Sequence, residues 1–402
     1  MGAFGRVRYV LTDDEIRTAL DPIIECRTAD TKLTTMGAGS DALEPGRRWL
    51  AAAVEGGWAK PTWPARYGGR DASAQEDAAI GRIMREYAVP DLYAYMIGLG
   101  MVGPALLAHG TDAQRDRWLR PIASGEEIWC QMFSEPEAGS DLANVGLGAD
   151  ADGEEWILSG QKVWTSRAMW AAWGIVLART DPEAPKHKGL TMFAIPMDAP
   201  GLEVRPLVQM NGDEHFSEVF MDECRVPDSG RVGEVGEGWR VAMTILAHER
   251  AGGSRGGGEG KAKESLVPRW LSDAVGDGHT ADPVWLERAM EAHTFDQVAS
   301  WTSQRAAAAA GSPGPAGSGN KLRSVRTYKQ RAWLTTEAQG PHGMLTDTHG
   351  HIELMTAPSM SIRGGTDEIQ RNIVGERVLG LAGEPRLDRE VPWKNSRKGL
   401  IQ

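Results

Sequence analysis

The chain's 402 residues suffice for roughly two to four domains around a large buried core, which excludes a single small module. Its 55 acidic residues outnumber 44 basic ones, and the resulting net charge of −11 disfavours a nucleic-acid backbone as partner. An apolar fraction of 41% with 25% charged residues belongs to a folded globular protein, and the longest apolar run, Ala94 to Ala108, is too short and glycine-broken for the ~20 residues of a membrane span.

The N-terminus reaches Asp13, Asp14 and Glu15 without an apolar core, so it does not read as a secretory signal and a cytoplasmic location is expected. Cys26, Cys130 and Cys224 are odd in number and widely spaced, which supports buried thiols rather than a disulfide framework or zinc site. Apolar positions three or four apart predict helices over Asp14–Leu20 and Ala78–Met84. The run GWAKPTWPARYGG, from Gly57 to Gly69, predicts a loop between them. Thr111 and Asp112 predict a helix start, with the helix running through Leu119 and stopping at Pro121.

From Ile128 to Val235 the texture becomes short β-prone runs such as GIVLART, LTMFAIP and EVFMDECRVP, separated by turn residues. Helical spacing returns at Trp239, Met243 and Leu246, and again over Leu322–Leu334 and Ile369–Leu379. The low-complexity stretch AAAAAGSPGPAGSG, from Ala306 to Gly319, reads as a helix end and a connection inside one domain. The expected divisions are residues 1–127, helical; 128–236, β; and 237–402, helical with a short tail. The fold class is therefore α+β multidomain.

Several chemical signatures fail. The glycines from Gly256 to Gly260 before Lys261 have the wrong spacing for a phosphate loop, and Ala262 replaces its Ser or Thr. His349, His351 and Glu353 lack a further ligand at motif spacing, so no metal is expected. GxSxG and a strand-linked GxGxxG are absent, removing sequence support for a serine hydrolase or a nicotinamide site.

Three other stretches hold: WCQMFSEPEAGSDLA from Trp129 to Ala143, GQKVWTS from Gly160 to Ser166, and SIRGGTDEIQRNIVGERVLGL from Ser361 to Leu381. Together, in this order, they resemble the acyl-CoA dehydrogenase family. The resemblance implies an N-terminal helical domain, a middle β-barrel or sandwich domain, and a C-terminal four-helix bundle. It also implies FAD as cofactor, an acyl-CoA substrate, an electron-transfer flavoprotein as acceptor, and a homodimer or homotetramer.

Carried over by position, the resemblance assigns Gln131, Phe133, Ser134, Trp164, Ser166, Thr366 and Glu368 to the cofactor and Ser140 to the substrate. Gly340 and Gly343 stand where the family has a glycine-rich stretch against the flavin pyrophosphate across a subunit interface. The residues themselves admit this chemistry. Hydroxyls and backbone N–H groups in the Ser134 to Asp141 turn suit a flavin edge or pyrophosphate. Trp164 and Ser166, two apart on a strand, point the same way, so the indole covers a ring face while the hydroxyl bonds its edge. Read without the resemblance, these are a core Trp, a surface Ser and, at Thr366, an ordinary helix N-cap.

Many family members carry the catalytic base immediately before the Gly-Thr pair, where this chain has Gly364. Members resembling isovaleryl-CoA and long-chain acyl-CoA dehydrogenases instead carry a Glu-Arg pair on the first helix after the β domain, which is Glu249-Arg250 here. The resemblance thus makes Glu249 the base that removes the α-proton as hydride leaves the β-carbon. The Gly364 N–H and a flavin ribityl hydroxyl would receive the thioester oxygen. A solvated surface pair is the alternative for Glu249 and Arg250.

The family's Arg-x-x-Phe-Gly is replaced by ESLVPRWLSDAVGDG over 264–278, so FAD contact across the interface is expected to differ. Gly252, Gly253, Gly256, Gly257 and Gly260 share the helix face of Glu249 if that helix continues. They predict either close helix approach or room for a bulky acyl group, with Arg250, Gly253 and Gly256 beside the substrate. Two other activities stay open, an acyl-CoA oxidase and a non-catalytic subunit of a mixed oligomer.

Overall fold

Among the described residues of the N-terminal third, the α-helices are α1 (Asp13–Ile24), α2 (Leu43–Glu55), α3 (Ala74–Met84), α4 (Gly103–His109) and α5 (Asp112–Ala123). The computed structural model describes residues 11–24, 43–84, 86–87, 89–252, 282–308, 317–345, 349–385 and 388–397. Cys26, Gly253, Gly256 and the 264–278 run lie outside the described residues. Helical spacing turns the apolar residues inward, so Ile16 and Leu20 of α1, Ile80 and Ile83 of α3 and Leu50 and Ala53 of α2 are all buried in one core.

The start of α5 is a capping box, in which the Thr111 hydroxyl accepts the Gln114 N–H at 3.2 Å while Gln114 Oε1 accepts the Thr111 N–H at 2.9 Å. Gln114 Nε2 also donates to the carbonyls of Ser229 and Arg231 at 2.8 and 2.7 Å, which ties this helix to the middle domain. The helix does not stop at Pro121 but runs on to Ala123. Burial of Ile122 and Ala123, 1% and 0% exposed, offsets the one N–H the proline lacks.

The middle domain has eight strands: β1 (Trp129–Met132), β2 (Gly148–Asp152), β3 (Glu155–Ser166), β4 (Trp173–Arg179), β5 (Leu190–Pro196), β6 (Leu202–Leu207), β7 (Phe216–Pro227) and β8 (Arg231–Val232). They pair in the order β6-β7-β3-β2-β4-β5-β8, with β1 lying parallel beside β4. Leu158, Val176, Phe193, Val219 and Cys224 form the sheet's own core. Trp129 on β1, Trp118 on α5 and Trp173 on β4 meet with ring centroids 5.3–5.8 Å apart and so join the helical and sheet layers. Cys130 and Cys224 are buried free thiols, and burial pushes the Cys130 thiol up to about 12, which leaves it inert at neutral pH.

Among its described residues the C-terminal part has α6 (Gly238–Gly252), α7 (Pro283–Ala308), α8 (Gly317–Ala338), α9 (His349–Thr356), α10 (Asp367–Ile373) and the short α11 (Trp393–Arg397). α7 packs on α8 through Trp285, Ala289, Ala292, Leu334 and Ala338, and Trp285 Nε1 donates to the Leu334 carbonyl at 3.2 Å. A π-helical turn, Val374–Val378, follows α10 where continuous helical spacing was expected. No helix among the described residues is long and apolar enough to cross a membrane.

The last segment returns to the sheet. The Trp393 ring lies 4.7 Å from the Arg179 guanidinium and its Nε1–H donates to the Asn144 carbonyl at 3.3 Å, the Trp393 backbone N–H donates to the Ala184 carbonyl at 2.9 Å, and Lys186 pairs with both Asp388 and Asp141. Lys186 holds the Asp388 carboxyl below the usual carboxylate value of 3.8. A carboxyl depressed in the fold stabilises above its unfolded value and loses that contribution as pH falls through the folded one. Protection of the 141–144 amides, taken as exchange relative to the intrinsic rate at each pH, is therefore expected to be high at neutral pH and to drop below about pH 4, and Asp388→Asn to show the lower protection already at pH 7.

Candidate active site

Glu249 sits near the end of α6, and the periodicity of that helix decides where it points. Val241 and Ile245 are fully buried against the N-terminal helices and the sheet. Glu249 follows at the same spacing of four and is half-buried, so it prolongs the buried stripe rather than the solvated face. Arg250 is the next residue of the helix.

Opposite lies the turn from Ile362 to Thr366 that enters α10. Gly364 and Gly365 have φ of +66° and +87°, a left-handed conformation that glycine adopts without a steric penalty. A Cβ placed on Gly364 would lie 3.8 Å from Glu249 Oε1. The structure thus brings together the two residues that the sequence offered as alternative sites for one base. Thr366 caps α10, its hydroxyl accepting the Ile369 N–H at 3.2 Å, and Gln370 Nε2 donates to the Gly364 carbonyl at 3.1 Å, which fixes the turn. Glu368 is exposed and pairs with Arg371 at 3.2 Å.

The strand side differs from simple alternation. Lys162 pairs with Val219 but Thr165 with Ser217, so β3 carries one extra residue there, a bulge at which Trp164 adopts φ +59°. The expectation that Trp164 and Ser166 share a face by strict alternation therefore fails at the backbone. They are nevertheless more exposed than their neighbours Val163 and Thr165. The Trp164 indole is 58% exposed and meets Phe216 edge-on at 5.8 Å, and Arg363 lies 5.8 Å from the same Phe216 ring.

Phe216 therefore bridges the strand bulge and the glycine turn. Arg363 Nε and Nη1 and Gln370 Oε1 are buried there without a hydrogen-bond partner. An exposed indole face, a glycine turn and unpaired polar atoms fit a flat aromatic cofactor with a polar edge, which is the chemistry of a flavin. Behind Phe216, His215 is buried and bonded to Asp213 at 2.8 Å. Burial lowers its pKa against the opposing pull of Asp213, leaving a neutral imidazole at pH 7.

The other sequence candidates are spread around this centre. Gln131 lies on β1 and is half-buried, whereas the Phe133 ring is buried and its carbonyl accepts from Lys162 at 3.1 Å. The Ser134 carbonyl accepts the Val163 N–H at 2.9 Å. Ser140 is exposed in the turn leading to Asp141. Gly340 has φ +53° and is exposed. Gly343 is buried, and a Cβ there would come within 2.3 Å of the Thr336 carbonyl, so packing on α8 by itself requires a glycine. Sequence reasoning missed Phe216, Arg363 and the buried pair Lys162 and Glu135, although three of these four stand inside the quoted stretches.

Three matches cover most of the chain: the acyl-CoA dehydrogenase N-terminal domain over residues 29–126, its middle domain over 130–224 and its C-terminal domain over 236–379. A helical, sheet and helical arrangement with these matches defines a flavin-dependent oxidoreductase. The chain belongs to the acyl-CoA dehydrogenase family, whose cofactor is FAD.

It is 37% identical to acyl-CoA dehydrogenase IpdE1 of Mycobacterium tuberculosis over 366 residues, covering 87% of this chain and 91% of that one. To acyl-CoA dehydrogenase FadE34 of the same organism it is 39% identical over 345 residues, 85% of this chain but 47% of that one, so it spans about half the length of that relative. Among solved structures, the Tcur3481-Tcur3483 steroid ACAD matches with a TM-score of 0.74 at 26% identity, covering 92% of this chain and 97% of that one. The ChsE4-ChsE5 complex from Mycobacterium tuberculosis matches with a TM-score of 0.69 at 25% identity, over 95% of this chain and 100% of that one.

Proposed function

We propose that the chain catalyses FAD-dependent α,β-dehydrogenation of an acyl-CoA thioester to a trans-2-enoyl-CoA, with Glu249 as the base. The observation that carries this reading is the 3.8 Å between Glu249 Oε1 and the Cβ position of Gly364. A carboxylate built on residue 364 and the carboxylate reaching over from α6 would occupy one space, so a glycine at 364 leaves room for the base instead of removing it.

Glu249 takes the α-proton, and the Gly364 N–H donates to the thioester oxygen as negative charge develops there. FAD, when bound, supplies the acceptor for the two electrons that leave the β-carbon as hydride. Trp164 and Phe216 exclude water from that place, and Ser134 and Ser166 hold the polar edge of the cofactor. Ser140 meets the CoA moiety from the turn at the sheet edge. Electrons then pass to an electron-transfer flavoprotein, in the cytoplasm.

A bulky, ring-bearing acyl group is the substrate we favour, supported by the similarity to a structure named as a steroid ACAD. The similarity to structures named for two chains supports a second reading of the assembly, in which a different subunit completes the oligomer in place of a homodimer or homotetramer. Native mass spectrometry of the purified chain decides between them: a homo-oligomer retaining FAD supports the former, and FAD retention only after a second chain is added supports the latter.

The reaction is tested by mixing the FAD-loaded protein anaerobically with butyryl-, palmitoyl- and steroid side-chain-CoA. Bleaching of the flavin bands with formation of an enoyl-CoA is expected, strongest for the bulky thioester. Recolouring by the electron-transfer flavoprotein rather than by air supports a dehydrogenase, whereas rapid recolouring in air makes it an oxidase. No bleaching by any thioester would leave the non-catalytic subunit.

A further inference from the structure

Lys162 is fully buried in the middle domain, and its ammonium group has three acceptors: the Leu177 carbonyl at 2.7 Å, Glu135 Oε1 at 2.8 Å and the Phe133 carbonyl at 3.1 Å. Glu135, 8% exposed, accepts in turn the Gly146 and Leu147 N–H groups at 2.7 and 2.8 Å. One ion pair thereby gathers the end of β1, the turn after it, the entry to β2, and the strands β3 and β4.

Such a pair is a weak source of stability, because desolvation of two charges roughly cancels their attraction and apolar side chains of similar volume would fill the space as well. Burial pulls the Lys162 pKa down while the Glu135 carboxylate opposes it. What the pair does supply is geometry. Lys162 is followed on β3 by Val163, whose N–H donates at 2.9 Å to the carbonyl of Ser134, the residue before Glu135, and Val163 is followed by Trp164 at the bulge.

We propose that Lys162 and Glu135 are positioning residues for the flavin: by clamping the Ser134 turn against Val163 they fix the bulge that presents Trp164 and Ser166 to the cofactor. This inference rests on the reading of Trp164 as part of the FAD site. Both side chains are buried among protein groups, Lys162 fully and Glu135 at 8% exposure, whereas Trp164 is 58% exposed. Their effect passes through backbone geometry, as with outer-shell partners that orient the groups in direct contact with a ligand.

The test measures FAD binding to the full-length apoprotein by quenching of flavin fluorescence, beside far-UV circular dichroism and thermal melting of the same samples. The neutral double variant Lys162→Met/Glu135→Gln is expected to fold with the wild-type spectrum and a cooperative melt, yet to bind FAD about tenfold more weakly or worse. Glu135→Gln alone is expected to weaken binding in the same direction, and it serves if the double variant does not fold. Lys162→Arg, which keeps the charge and the pairing, is expected to recover part of the affinity and the visible band shape of bound flavin.

Trp164→Ala is measured alongside. If it weakens FAD binding while the folded Lys162 and Glu135 variants bind as tightly as wild type, the positioning role is overturned and the site reading stands. If Trp164→Ala binds FAD as wild type does, the site reading fails and the proposal with it.

Discussion

Glu249→Gln will leave FAD bound while the rate of flavin reduction by acyl-CoA falls by roughly 10²–10⁴-fold. The amide keeps the shape and the half-buried position of the side chain on the stripe of Val241 and Ile245, so the fold and the cofactor site stay as they are. What disappears is the basic oxygen 3.8 Å from the Cβ position of Gly364. A variant that binds FAD and reduces it at the wild-type rate would remove Glu249 from the chemistry. The companion double variant Gly364→Glu/Glu249→Gln is expected to recover part of the rate, in a protein less stable by the roughly 1–2 kcal/mol that a left-handed conformation costs a residue with a Cβ. Recovery is read from flavin bleaching in the same anaerobic mixing experiment, and its absence in a folded, FAD-binding double variant would mean that the two positions do not share one space.

Trp129→Ala carries the largest expected effect on stability, about 3–5 kcal/mol. Trp129 is fully buried, stacks on Trp173 at 5.8 Å and meets Trp118 edge-on at 5.6 Å, so its loss opens a cavity at the seam between the helical and sheet layers. β1 begins with this residue and ends just before Phe133 and Ser134, so the same substitution also loosens the turn proposed to hold the flavin. Differential scanning fluorimetry of the apoprotein is expected to show Tm lowered by roughly 5–10 °C. Trp129→Phe should cost less than half as much, because the indole Nε1 has no hydrogen-bond partner to lose. A Tm unchanged in Trp129→Ala would mean that the seam contributes little to holding the two layers together.

The order of helical, sheet and helical segments was legible because hydrophobic spacing switches period twice along the chain, and the observed strands fall within the β-prone stretch from Ile128 to Val235. Local geometry was less legible. The bulge at Trp164 reverses nothing in composition, since it arises from pairing with β7, a strand some fifty residues away in sequence that has one residue fewer across the gap. Pro121 misled because burial of the two residues after it outweighs a local breaker.

Lys162 shows the limit most plainly. A lysine inside a β-prone run reads as a solvent-facing residue, and only its fold-wide partners at Phe133, Glu135 and Leu177 make it internal. Glu249 was named by resemblance, yet the stripe of Val241 and Ile245, eight and four residues before it, was already visible in the sequence and would have marked it as inward-facing. Gly343 is the converse: a position assigned to the cofactor whose glycine is already required by contact with Thr336.

The most direct test of the account is rapid anaerobic mixing of the FAD-loaded wild-type protein with its best acyl-CoA deuterated either at the α- or at the β-carbon. Loss of an α-proton to Glu249 and of a β-hydrogen with its electron pair in one pocket predicts that each label slows flavin bleaching and that the enoyl-CoA formed has lost one label from the labelled carbon. Bleaching insensitive to both labels, or a saturated product, would contradict it.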